Sequence, residues 1–164
     1  MEFKTHNFEE TIELGKKLAL DFLESEQHRK SALVIALEGD LGAGKTTITQ
    51  GFAQALGVDS WIKSPTFVLM REHKLSSKYE VRSAEHKEKN SKTNSPTTLI
   101  HIDCYRVDNP DALIEIGLGD MLADPQNIVF IEWGEKIAKF LPKNTIRIKI
   151  KHLKEGERKI TVNF

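Results

Sequence analysis

At 164 residues the chain can bury a substantial core without disulfide or metal staples, because folding at this size hides roughly 68–70% of the unfolded surface. Twenty-four Lys plus Arg balance 24 Asp plus Glu, so the net charge is zero and the basic excess that drives independent binding to phosphate backbones is missing. The single Cys104 cannot form an internal disulfide, the opening MEFKTHNFEE carries no export signal, and every apolar run falls far below the ~18 residues of a membrane span, so a soluble cytoplasmic protein is expected.

Phe8, Ile12, Leu14, Leu18 and Phe22 recur at helical spacing, and Asn7 with Glu10 three positions on can close a capping box, which predicts an amphipathic first helix. The apolar run 32–37 reads as a strand buried on both faces, the kind found in parallel sheets. EGDLGAGK follows, and then residues 46–56 carry Ile48, Phe52 and Leu56 at four-residue spacing with Gly57 as a stop, giving strand, loop and helix. Residues 67–70 predict another strand, and 99–103 (LIHID) a third on which His101 and Asp103 share one face.

Between these two strands, residues 75–98 hold many charges and few large apolar side chains, which predicts a mobile insertion. Lengthening a flexible loop costs only about 0.6 kcal/mol per doubling, so the fold tolerates it. Asn109-Pro110 opens a helix running through about Ile116, with Gly117 and Gly119 ending it. Residues 128–132 form a further buried strand, and 136–141 a short helix ended at Pro142. The alternating segments 146–150 and 159–164 flank a turn holding Gly156, a β-hairpin. No repeat or linker divides the chain, so residues 1–164 are expected to form a single α/β domain, a mostly parallel sheet flanked by helices.

Gly39-Asp40-Leu41-Gly42-Ala43-Gly44-Lys45-Thr46 matches the Walker A pattern G-x-x-x-x-G-K-[ST], with an accidental match at roughly 1% for this composition. The glycines let the backbone curl so that N–H groups from about Leu41 to Thr46 line an anion nest, and the following helix adds its positive end. Lys45 can reach the β- and γ-phosphates of a nucleotide, and the Thr46 hydroxyl can ligate a bridging Mg²⁺.

Hydrolysis needs acids as well. Glu132 after IVFI and Asp103 after LIHI end strands at the edge where α/β sheets bind ligands, so Glu132 reads as a Walker B acid and Asp103 as a second metal or water-positioning group. Ser64-Pro65-Thr66 is either a switch segment or a proline turn entering a strand. Before any family is considered, His101 reads as a satisfied strand histidine, Cys104 as a small buried residue and Trp133 as a core aromatic.

Taken in order, GDLGAGKTT (39–47), SPTF (64–67), HIDCYR (101–106) and IEW (131–133) resemble the TsaE (YjeE) family of bacterial P-loop ATPases, over nearly the whole chain. The resemblance implies Mg²⁺-dependent ATP hydrolysis in support of threonylcarbamoyladenosine formation beside the anticodon of certain tRNAs. It also implies action with TsaD, which transfers the threonylcarbamoyl group, and with TsaD's partner TsaB, tRNA being met only through that complex.

By the family's motifs, Leu41, Gly42, Ala43, Gly44, Lys45, Thr46 and Thr47 would contact nucleotide, and Thr66 would be the switch. Asp103 and Glu132 would serve metal and hydrolysis, and Trp133, Glu135 and the adenine-side Thr11 would also lie against the nucleotide. The 75–98 insertion departs from the family's short connection. A small-molecule P-loop kinase is the alternative, but it should carry an arginine-bearing lid, and the six arginines here are scattered. A guanine-nucleotide switch should carry N-K-x-D and D-x-x-G, and neither is present.

Overall fold

The computed structural model describes residues 1–25, 29–58, 69–75, 96–154 and 156–164. Seven strands form one sheet: β1 (Glu2–Thr5), β2 (Leu33–Glu38), β3 (Met70–Lys74), β4 (Thr98–Asp103), β5 (Asn127–Glu132), β6 (Ile146–His152) and β7 (Arg158–Asn163), in the order β1-β7-β6-β2-β5-β4-β3. The central four, β6, β2, β5 and β4, run parallel, and β3, β7 and β1 add antiparallel edges. The α/β expectation holds, with antiparallel borders on a parallel centre.

The centre is parallel because β2 (LVIALE) and β5 (NIVFIE) are apolar on both faces and must be covered on both. Leu33, Ile35 and Leu37 meet α1 (Phe8–Ser25) and α2 (Lys45–Ala55), while Val34, Val129 and Ile131 join the layer containing α3 (Ala112–Glu115), α4 (Leu118–Ala123) and a 3-10 helix (Gly134–Phe140). Phe52, fully buried, sets its ring against Phe130 at 4.6 Å and tilts toward Phe22 at 6.2 Å. Helix α2 ends in a Schellman motif, in which Val58 N donates to Ala53 O and Gly57, at φ 70°, donates to Gln54 O, satisfying its last carbonyls.

Several expectations change in detail. β1 is absent from the sequence reading, because four residues with one buried position give no periodic signal. The strand placed at 67–70 is β3, Met70–Lys74, and residues 67–68 lie outside the described residues. At the borders of the 75–98 segment, Thr98 pairs with Lys74, Leu75 N donates to Thr97 O at 2.9 Å, and Leu75 packs on the core, while the rest of the expected insertion, residues 76–95, lies outside the described residues.

Asn109 Oδ1 accepts from Asp111 N, and the regular helix starts only at Ala112. Gly117 does stop it, but at φ 87° it also caps the unpredicted α4, which Gly119 occupies rather than ends. Of the expected helix 136–141, residues 136–140 belong to the 3-10 helix, which starts at Gly134 and ends at Phe140, with Leu141 already extended. In the N-terminal cap, Asn7 Oδ1 accepts from Glu10 N at 2.7 Å, while the returning Glu10 carboxylate accepts from His6 N rather than from Asn7 N. No helix among the described residues is long and apolar enough to cross a membrane.

Candidate functional site

The Gly39–Lys45 stretch connects the end of β2 to the start of α2, and two glycines show why it takes its shape. Gly39, at φ 138°, passes so close to β6 that an added Cβ would lie 2.2 Å from Ile150 O; Gly44, at φ 108°, is the N-cap of α2. Gly44 offers no side chain to the first N–H groups of α2, and no acid sits in that first turn. α1 contrasts with it, holding Glu9 and Glu10 in its first turn behind the Asn7 cap. The positive end of α2 is thus left for an external anion, which is the fit a phosphate requires.

Lys45 is buried, and its Nζ donates to Gly39 O at 2.7 Å and Asp40 O at 2.9 Å while lying 3.9 Å from the centre of the Trp133 ring. Burial pushes the ammonium pKa down, and the carboxylates of Glu132, Glu135, Asp103 and Asp40, in that order, oppose it. Those acids converge electrostatically on one cation.

Thr46 Oγ1 donates to Glu132 at 2.8 and 3.1 Å to its two oxygens, which brings the Walker A hydroxyl and the proposed Walker B acid into direct contact. The parallel register of β4 and β5 sets Asp103 beside Glu132, and Asp103 Oδ1 accepts from Tyr105 N. Thr46, Asp103 and Glu132 form a donor set suited to Mg²⁺, which keeps waters and phosphate oxygens as further ligands. Among the described residues no three His, Cys, Asp or Glu side chains form a metal cage of their own.

The remaining predicted residues are less uniform. Leu41 and Gly42 form the exposed tip of the loop, Ala43 and Thr47 are buried beneath it, and Glu135 is exposed. Trp133 is half-buried and is the only non-glycine residue of positive φ (59°) among the described residues, a strained backbone for a bulky side chain; its ring meets Tyr105 at 5.1 Å. Thr11 is fully buried, with its hydroxyl donating to Asn7 O and paired with Thr5 Oγ1, so it ties β1 to α1. Thr66 lies outside the described residues.

Two residues here exceed the sequence reading. His101, fully buried, places Nε2 2.9 Å from Glu132 Oε1, and its Nδ1 has no hydrogen-bond partner among the described residues. Alternation put His101 on the face of Asp103, but only the strand register reveals the acid it meets. Arg158 Nε donates to Ala43 O at 3.1 Å and its Nη1 to Gly156 O, bracing the outer side of the loop from the C-terminal hairpin. Nothing local in the sequence signals that contact.

Cys104 is fully buried beside this site; burial first and the Asp103 charge second push its thiol up to about 12. We expect negligible reaction with an aromatic disulfide reagent at pH 8 in native protein and complete reaction after unfolding in guanidinium, followed by absorbance. Fast native labelling would contradict the burial.

With this geometry in view, the comparisons with known proteins are specific. The family model described as threonylcarbamoyl adenosine biosynthesis protein TsaE matches residues 5–160. The chain belongs to the TsaE family. Among TsaE relatives, the tRNA threonylcarbamoyladenosine biosynthesis protein of Bacillus subtilis is 33% identical over 161 residues, covering 98% of this chain and 84% of the relative. The TsaE protein of Haemophilus influenzae is 33% identical over 139 residues, covering 85% and 74%. The crystal structure of Bacillus subtilis YdiB superposes with a TM-score of 0.65 at 30% identity, covering 99% of this chain and 83% of that one, so this TsaE family member shares its α/β fold.

Proposed function

We propose that this TsaE family member binds ATP with Mg²⁺ at the Gly39–Thr46 loop, hydrolyses it slowly when alone, and uses its nucleotide state as a switch on a TsaB–TsaD complex in threonylcarbamoyladenosine modification of cytoplasmic tRNA. The observation that carries the reading is the contact of Thr46 Oγ1 with Glu132, 2.8 Å apart beneath an uncapped helix end and beside a buried lysine. The printed role of the relatives in tRNA threonylcarbamoyladenosine biosynthesis supports it.

The loop amides and Lys45 would hold the phosphates, and Thr46, Asp103 and Glu132 would hold Mg²⁺, which supplies neutralisation of developing charge when bound. The Lys45 ammonium now rests on two loop carbonyls, and binding exchanges these for phosphate oxygens, a stronger charge-assisted pairing. The Glu132 carboxylate has the position and charge to orient a water or accept its proton, with His101 holding it from behind. Trp133 and Glu135 would border the nucleotide, and Thr11 would act through the first turn of α1. Thr66 is proposed as the switch residue on the family motif alone.

The test is phosphate release from ATP with and without purified TsaB and TsaD. Stimulation by the pair supports the switch, whereas transfer of phosphate to a metabolite would favour a kinase. A Lys45→Ala variant should bind a fluorescent ATP analogue about 100-fold more weakly, roughly 2.7 kcal/mol. Unchanged affinity would remove the loop from the site.

A further inference from the structure

A net charge of zero conceals a segregation of charge. Residues 143–159 hold seven Lys or Arg against two Glu, and the sheet register sorts most of these cations onto one face. In β6 the buried Ile146, Ile148 and Ile150 alternate with Arg147, Lys149 and Lys151, and in β7 the buried Ile160 and Val162 alternate with Lys159, Thr161 and Asn163. The isoleucines and valine enter the core under α1 and α2, so the cations point the other way, beyond the helices that cover β2, β5 and β4.

Pairing aligns them further. Lys151 is opposite Lys159, and Lys159 is opposite Lys4 of β1, a row of three lysines across three adjacent strands; Lys149 occupies the next row, opposite Thr161. Like charges directly opposite one another destabilise a sheet, so a hairpin shaped by folding alone would alternate their signs. Lys149, Lys151 and Lys159 line a depression of about 240 Å³ with Glu2 and Thr161.

We propose that the open face of β6, β7 and β1 is a docking surface for the phosphate backbone of RNA. The charge is complementary to a polyanion, and the chemistry favours RNA over an acidic protein. The outward positions of the three strands are charged or carry a hydroxyl or amide, so the face lacks the apolar anchors that centre a protein interface, while lysines, a hydroxyl and an amide are the usual phosphate donors.

The acids present do not block it. Glu2 pairs with Lys159 at 2.8 Å, Glu157 with Lys4 at 3.1 Å and Glu38 with Arg147 at 3.0 Å, but all six groups are at least partly exposed, and solvent-screened pairs of this kind hold only weakly, so phosphates can replace them. The row also ends at the phosphate loop, because Ile150, the neighbour of Lys151, is the residue whose carbonyl Gly39 abuts. An RNA on this face would run to the edge of the nucleotide site, although its binding does not depend on the nucleotide reading.

The test is fluorescence anisotropy of a labelled tRNA transcript titrated with the full chain, repeated between 50 and 200 mM salt. We expect affinity to fall with a log–log slope of about −2 to −3, as for three or four phosphate contacts. The double variant K149E/K151E, altered at exposed residues outside the ion pairs named above, should bind RNA at least tenfold more weakly, with melting temperature and ATP-analogue binding unchanged. Absent or salt-independent binding by the parent chain, or full binding by the variant, would overturn the proposal. Polyglutamate of matched charge competing as well as RNA would also overturn it, by assigning the face to an acidic protein.

Discussion

Glu132→Ala should lower phosphate release from ATP by at least 100-fold while leaving nucleotide affinity within a few-fold of the parent. Glu132 is 3% exposed and touches both partners that matter: it accepts the Thr46 hydroxyl with both oxygens and lies 2.9 Å from His101 Nε2. Removing a positioned general base or metal-orienting acid typically forfeits a factor of 10² to 10⁴ in rate. In the proposed reading, binding rests instead on the loop amides and Lys45.

Truncation to alanine also leaves the part-buried Thr46 hydroxyl and the fully buried His101 ring without their partner, which destabilises by about 1–3 kcal/mol. Glu132→Gln separates the two effects. Its amide oxygen still accepts from Thr46, so the melting temperature should stay near that of the parent, yet it lacks the charge needed to take a proton. Turnover should fall as far as in the alanine variant, measured by single-turnover phosphate release beside calorimetric binding. Normal turnover in the glutamine variant would take Glu132 out of the reaction.

The parts of this site that could be read from sequence are those encoded within a few residues. The Walker A stretch is legible because eight contiguous residues carry it: Gly39 and Gly44 supply the turn, and Lys45 and Thr46 stand at the tip of a helix whose periodicity is strong. Asp103 and Glu132 are legible as strand ends, because buried parallel strands are short apolar runs and their carboxyl ends collect ligands.

What was not legible depends on register and close approach. His101 meets Glu132 only because β4 and β5 pair so that Asp103 aligns with Glu132, and alternation cannot reveal what stands on the neighbouring strand. Arg158 reaches Ala43 across 115 positions of sequence. The sequence hides α4, since a glycine at position 117 signals a stop, although in its left-handed conformation it also begins the next helix. The cationic face shows the same limit: total charge argued against polyanion binding, whereas the pairing of β6, β7 and β1 gathers the cations on one side.

Gly15 of α1 and Gly51 of α2 should have the largest effect on stability. A Cβ added to Gly51 would lie 2.1 Å from Ile12 O, and one on Gly15 would lie 2.5 Å from Ile48 O, so α1 and α2 cross backbone to backbone at these residues. Neither glycine has positive φ, so alanine meets no conformational penalty and even gains about 1 kcal/mol of helix propensity. The obstruction is a main-chain carbonyl, which cannot rotate away as a flexible side chain can.

Gly51→Ala must therefore push the helices apart and open the packing of Phe22, Phe52 and Phe130, a net cost of about 3 kcal/mol, or roughly 6–12 °C in melting temperature for a chain of this size. The displaced helix is the one whose first turn holds Lys45 and Thr46, so nucleotide affinity should fall with stability. Gly119→Ala is the matched control: it also lies within a helix, but nothing stands within 4 Å of its added Cβ, and the propensity gain should leave the protein unchanged or slightly more stable. Thermal unfolding of both variants beside the parent decides the matter; equal melting temperatures would mean that α1 and α2 do not touch where Gly15 and Gly51 bring them together.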